Sequence, residues 1–194
     1  MDNVASLYGR NNLYEVIHEA TKNIFIPITV GGGIRSKKDA HKILRAGADK
    51  IAINTAAVKN PKIINDLAKI FGSQCIVVSI EAKKISKDNW EVYTLNGREK
   101  TGINIKDWIK KITDNGAGEI LLTSIDKDGT KKGFDIELVN MASELCKIPL
   151  IISGGCGDIK DIINLKKKKI NVQGIALGTV LHYGQVKISE AKKI

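Results

Sequence analysis

The chain is short of the residues that would commit it to several common lives. Of its 194 residues only three are cysteine and three histidine, and aromatic residues make up 5%. Cys75, Cys146 and Cys156 are odd in number, far apart and without Cys-x-x-Cys spacing, so neither a disulfide framework nor a zinc site is expected. With no secretory signal at the start, a reducing, cytoplasmic setting is expected. His18, His41 and His182 stand singly in or beside predicted helices, without a second ligand at useful spacing. No metal is therefore expected. No apolar run approaches the ~18 residues that a membrane span needs, so no membrane association is expected. Arginine is scarce as well. The formal charge of +10 comes almost entirely from lysines scattered over predicted helix faces, with arginine only at positions 10, 35, 45 and 98. Nucleic-acid readers cluster arginine with aromatics, so the excess is read as a solvated surface rather than a nucleic-acid interface. Its field would still favour a small substrate bearing phosphate.

What is abundant is an alternation of short apolar runs with amphipathic stretches, in a chain that is 43% hydrophobic and 27% charged. A helix is predicted from Asn12 to Thr21, with Leu13, Val16, Ile17 and Ala20 inward. "IPITVGGGI" from Ile26 reads as a strand ending in glycines. Ser36 and Asp39 pair as a helix start, followed by Ala40, Ile43 and Leu44 before the stop at Gly47. "KIAIN" is the next strand. Pro61 then opens a helix carrying Ile64, Leu67, Ala68 and Phe71. "CIVVSI" is an almost unbroken β-branched strand, as in a parallel sheet covered on both faces. "WEVYT" before Asn96-Gly97 reads as one arm of an inserted hairpin. Three further helix–strand units follow, with strands "GEILLTSI", "IPLIISGG" and "GIALGTVL" and helices through Trp108 and Ile112, Leu138 to Leu145, and Ile159 to Ile163. Six strands, each entered from a helix, define a parallel α/β protein.

An internal repeat separates a barrel from an open doubly wound sheet. "IPITVGGG" at Ile26 recurs as "IPLIISGGCG" at Ile148, and "KIAINT" ending at Thr55 recurs as "GIALGT" ending at Thr179. Two successive strand ends thus return in order, the pattern of a duplicated half-barrel. The expectation is a single domain over residues 1–194 with the (β/α)8 TIM-barrel fold, incomplete at about six of eight strands. A complete barrel typically takes ~250 residues.

Glycines at strand ends let backbone N–H groups converge on an anion. Gly31 to Gly33 with Asn54 and Thr55 would form one cup, and Gly154 and Gly155 with Gly178 and Thr179 its twin. Two cups across one mouth predict a substrate phosphorylated at both ends. Between them Glu81 is the candidate acid or base. Asp128 and Thr123 are candidate substrate contacts, and Asp126 is as consistent with a turn residue. Asp49, Lys50 and Glu119 stand at the opposite, N-terminal strand ends, which usually serve stability.

"ITVGGGIRS", "AGADKIAINTAAVKNP", "FGSQCIVVSI", "WEVYTLNGREKTG", "GAGEILLTSIDKDGT" and "IPLIISGGCG" closely resemble, in order over nearly the whole chain, the cyclase subunit of imidazole glycerol phosphate synthase, the HisF family. The resemblance implies a (β/α)8 barrel that receives ammonia from a glutaminase partner. Its substrate is a bisphosphorylated ribulosyl aminoimidazole carboxamide nucleotide. It releases imidazole glycerol phosphate and the carboxamide nucleotide, as a lyase of histidine biosynthesis, and this acid–base chemistry needs no electron sink, so no organic cofactor is expected. It implies that Gly33, Asn54 and Thr55 hold one phosphate and that Asp128, Gly129, Gly155, Gly178 and Thr179 hold the other end. It also implies that Lys50 and Glu119 gate the ammonia and that Asp49 lies at the glutaminase interface. Two departures stand out. The family's first catalytic Asp lies on its first strand, whereas "MDNVASLYGR" resembles the end of the second, so that the first strand is expected to be absent. "VKISEAKKI" likewise stops where a final barrel helix begins. The second departure is Glu81, where the family has Asp; a shift of ~1 Å in such a group can cost about a hundredfold in rate. A related barrel, the WbuZ-type ammonia-using subunit of surface-sugar amidation, is the alternative reading, as is a degenerate barrel that binds without turnover.

Overall fold

The computed structural model describes residues 13–194. In chain order it holds α1 (Leu13–Thr21), β1 (Thr29–Gly31), α2 (Lys37–Arg45), β2 (Lys50–Ile53), α3 (Thr55–Lys59), α4 (Lys62–Phe71) and β3 (Ile76–Ser86). Next come β4 (Asn89–Thr94), β5 (Glu99–Asn104), α5 (Ile105–Asp114), β6 (Glu119–Ser124), α6 (Ile136–Leu145), β7 (Leu150–Ser153), α7 (Ile159–Lys167), β8 (Gly174–Ala176), α8 (Thr179–His182) and α9 (Ile188–Ala191). The main path of the sheet runs β1-β2-β3-β6-β7-β8, every neighbour parallel. The spatial order follows the chain order and never turns back, whereas a doubly wound sheet reverses at a switch point. This is barrel winding over six parallel strands.

β6 and β7 bury one side under the helices. In β6, Ile120, Leu122 and Ser124 are buried while Glu119, Leu121 and Thr123 are only half-buried, and β7 repeats the alternation with Leu150 and Ile152 buried. The helices meet that side with Ile64 and Leu67 of α4, Trp108, Ile109 and Ile112 of α5, and Leu138, Val139 and Ala142 of α6. Burying each such large apolar side chain contributes about 1.5–3 kcal/mol. The helix starts are fixed by short polar side chains. Ser36 Oγ accepts from Asp39 N–H, and Asp39 Oδ2 in return accepts from the Ser36 hydroxyl and from Arg35 N–H. Asp158 and Asp161 form a capping box on α7.

Four local expectations change. Val16 is 62% exposed, whereas its neighbour Ile17 is buried. Leu145, in the last position of α6, is exposed, and β1 is confined to Thr29–Gly31 with Ile26 in solvent. The strand read as "CIVVSI" does not end there. It continues through Glu81 to Ser86 and folds back antiparallel on β4, which pairs in turn with β5. "WEVYT" is one arm of the β4–β5 hairpin, as expected, and through β3 also the middle strand of a three-stranded meander.

Candidate functional site

A cavity of about 390 Å3 opens at the C-terminal ends of β1 and β2 and along the flank of β3. Its walls include Gly33, Arg35, Asn54, Thr55, Lys59 and Glu81. The glycine run after β1 can follow this wall because Gly32 and Gly33 take φ of 112° and 68°, values open to glycine and costly for other residues. Asn54 ends β2 and Thr55 starts α3, so one chain reversal brings both side chains to the same wall.

The third wall is the turn between β4 and β5. Glu81 stands directly across from Tyr93 in the β3–β4 register, so the residues after Tyr93 fold back over it. Gly97 N–H donates to Glu81 Oε2 at 2.8 Å, Leu95 N–H donates to Thr55 Oγ1 at 3.4 Å, and Asn54 Nδ2 donates to Tyr93 O at 3.2 Å. Asn54 Oδ1 is buried and has no protein partner. Burial pushes the Glu81 carboxyl above its ordinary range, against the Gly97 and Asn54 hydrogen bonds that favour its charged form, and the negative Asp128 adds to the rise. A protonated Glu81 is a donor that the orphan Asn54 oxygen lacks. With this acid held toward neutrality and Arg35 and Lys59 on the walls, the cavity suits an anion.

The other expected residues lie at the same rim but outside this cavity's lining. Thr123 pairs with Glu81, Ser153 with Thr123 and Ala176 with Ser153, so the half-buried side of the sheet carries a row across the strand ends. Asp128 is held by its N–H to Ser124 O at 2.9 Å, and Gly154 packs on its loop, where an added Cβ would lie 3.4 Å from Asp128 Cα. Gly155 is braced from behind: its carbonyl accepts from Gly133 N–H at 2.8 Å, and a Cβ there would meet Gly133 O at 2.2 Å. Around Gly129 and Gly178 an added Cβ meets nothing within 4 Å. Gly178 O accepts from Leu181 and His182 N–H, so Thr179 opens α8. Asp126 serves the turn: its carboxylate accepts from Lys84 N–H at 2.8 Å. Cys156 is buried and burial, with Asp161 and Asp158 nearby, pushes its thiol up to about 11, which leaves it a poor nucleophile at neutral pH.

At the opposite strand ends Lys50 and Glu119 form an ion pair across β3, with side chains only 27% and 16% exposed. Asp49 accepts from Ile28 N–H at 2.8 Å and returns its own N–H to Ile28 O, clipping the entry of β1. Sequence reasoning missed Arg35 and Lys59 as cavity residues, although each lies within a quoted string, "ITVGGGIRS" and "AGADKIAINTAAVKNP". It placed a turn at Asn96-Gly97 but missed that this turn walls the cavity, an approach that depends on β3 running on past Glu81. Among the described residues no group of three or more His, Cys, Asp or Glu is placed to hold a metal, and no helix is long and apolar enough to cross a membrane.

The family model described as histidine biosynthesis protein matches residues 1–187. Among similar proteins, the imidazole glycerol phosphate synthase subunit HisF of Legionella pneumophila is 60% identical over 161 residues, covering 83% of this chain and 76% of that protein. HisF of Dictyoglomus thermophilum is 49% identical and HisF of Streptococcus mutans 45% identical, each over 193 residues that span the whole chain and 76% of the relative. These names favour histidine synthesis over the surface-sugar alternative. On the matched length, the parallel winding and the identities together, the chain belongs to the histidine biosynthesis protein family, among its HisF members.

Proposed function

We propose that this chain is the cyclase subunit of an imidazole glycerol phosphate synthase. In this reading ammonia and a bisphosphorylated ribulosyl aminoimidazole carboxamide nucleotide give imidazole glycerol phosphate and the carboxamide nucleotide. The observation that carries the reading is the cavity itself, where Gly33, Asn54 and Thr55 share walls with two cations and an uptitrated acid. The glycines and Asn54–Thr55 bind one phosphate, and Glu81 handles a proton during ammonia addition, cleavage and ring closure. Holding both ends of the substrate makes the ring closure effectively intramolecular. Thr123, Asp128, Gly129, Gly155, Gly178 and Thr179, spread along the same rim, bind the remainder of the substrate and its second phosphate.

Ammonia comes from a glutaminase partner docked at the N-terminal strand ends. Lys50 and Glu119 form the gate there and Asp49 borders the interface; their charges on the half-buried side of the sheet support this reading. The setting is the cytoplasm, where the substrate's pathway operates. The test supplies the bisphosphate with ammonium chloride in place of the partner. Ammonia-dependent ring closure, lost in Glu81→Gln, supports the reading; neither binding nor turnover of the bisphosphate overturns it.

A further inference from the structure

Three polar groups from two neighbouring strand ends, those of β2 and β3, all bond to one short turn or to the strand that enters it. Asn54 reaches the Tyr93 carbonyl, Thr55 accepts from Leu95 and Glu81 accepts from Gly97. The turn is itself unusual. Leu95, Asn96 and Gly97 take φ of 52°, 57° and 71° in succession, and a branched side chain such as leucine rarely enters that region. Such conformations persist where surrounding contacts over-determine them, and they cluster at functional sites. Leu95 and Asn96 also line the cavity. The strand pairing explains the geometry: Glu81 faces Tyr93, so a carboxyl directed toward the cavity meets the chain just after Tyr93. A carboxylate one methylene shorter, as the resembled family carries here, starts farther from that N–H.

We propose that Gly97 is a positioning residue for Glu81: its backbone N–H, presented by the left-handed turn, fixes one carboxyl oxygen and leaves the other facing Asn54 and the cavity. The inference rests on the reading of Glu81 as the acid–base group, but concerns its setting rather than its turnover. Besides Gly97, the groups that act on this carboxyl are Asn54 from the β2 end and Asp128 from the loop after β6, while Thr55, Ser79, Arg35 and Lys59 share the lining of its cavity. None of them but Gly97 belongs to the turn.

The experiment is an NMR titration of the intact chain, with 13C-labelled glutamate carboxyls and 15N-labelled amides, the Glu81 signal being assigned through Glu81→Gln. In the wild type the Gly97 amide resonance is expected to move with the midpoint of Glu81, and to lose that step in Glu81→Gln. Gly97→Asn and Gly97→Val add the same Cβ, which lies 3.1 Å from the flexible Ile125 Cδ1, but asparagine tolerates positive φ and valine does not. The asparagine variant is expected to keep the Glu81 midpoint. The valine variant is expected to raise it by about one unit, because the lost N–H had favoured the charged form. A Gly97 amide blind to Glu81 in the wild type overturns the proposal, whether or not the valine variant folds; so does a folded valine variant with an unmoved midpoint. Both readouts are independent of turnover, so failure of the proposed activity leaves them intact, and their failure leaves the activity to be judged by its own assay.

Discussion

Replacing Glu81 by glutamine should stabilise the protein at neutral pH and do nothing of the kind in acid. Burial, the largest influence on this carboxyl, holds its folded-state pKa above the ordinary value, with Asp128 in the same direction and the bonds from Gly97 and Asn54 opposed. A carboxyl whose pKa is raised on folding prefers the folded state when protonated. Below the unfolded value, about pH 4.5, it therefore carries no ionisation cost; as pH climbs toward the raised value, stability is lost, and above it the loss is complete. Each unit of elevation costs about 1.4 kcal/mol. Glutamine keeps an oxygen to accept from Gly97 N–H and adds a donor for the buried Asn54 Oδ1, so the neutral packing is preserved. Urea unfolding of both proteins at about pH 4 and pH 7 isolates the titration, because the difference between the two pH values cancels any packing change common to both. The variant should gain stability relative to the wild type on going from pH 4 to pH 7. A relative loss over that interval would mean that the folded site favours the carboxylate, and the electrostatic account of the cavity would fail.

Other consequences are as direct. Lys50→Met leaves the mostly buried Glu119 carboxylate unpaired and should cost about 1–3 kcal/mol in a urea titration, much of it regained in Lys50→Met/Glu119→Leu; a double variant whose cost is the sum of the two single variants' costs would show that the pair does not interact. Trp108, at 1% exposure in the centre of α5, should lose about 3–5 kcal/mol on change to alanine, read as a shift in the thermal midpoint, whereas an unshifted midpoint would misplace the core. Ser36→Ala removes the cap of α2 and should cost about 1 kcal/mol without touching substrate affinity. Thr55→Val should weaken binding of inorganic phosphate several-fold while leaving the unfolding midpoint nearly unchanged; unchanged phosphate binding would remove Thr55 from the site.

Much of the architecture was legible because period and punctuation agreed. Ser36 with Asp39, Pro61 before α4 and Gly47 after α2 mark boundaries by chemistry that acts within a few residues, and the structure keeps all three. The winding was legible through the repeat, since similar strand ends must occupy similar places in a barrel. Failures arose where the outcome depends on distant contacts. Val16 and Leu145 match a helical period, yet their exposure depends on how far the neighbouring elements extend over each helix. The continuation of β3 beyond Glu81 follows from pairing with β4, which a run of lysines does not announce. For the same reason Gly33, Asn54, Thr55 and Glu81 could be drawn to one mouth by sequence, but the turn that holds them could not. Gly155 is a further case: its motif suggests open backbone, and its packing against Gly133 shows that the glycine is also required for close approach.

The account depends most on two separated phosphate sites at one rim, with Gly33, Asn54 and Thr55 serving only one of them. 31P NMR of the bisphosphorylated substrate tests this directly, because its two phosphates give separate resonances. Both signals should shift on binding to the wild-type chain, and Asn54→Ala with Thr55→Val should abolish the response of one while the other still moves. Loss of both responses together, or no response from either phosphate in the wild type, would contradict it.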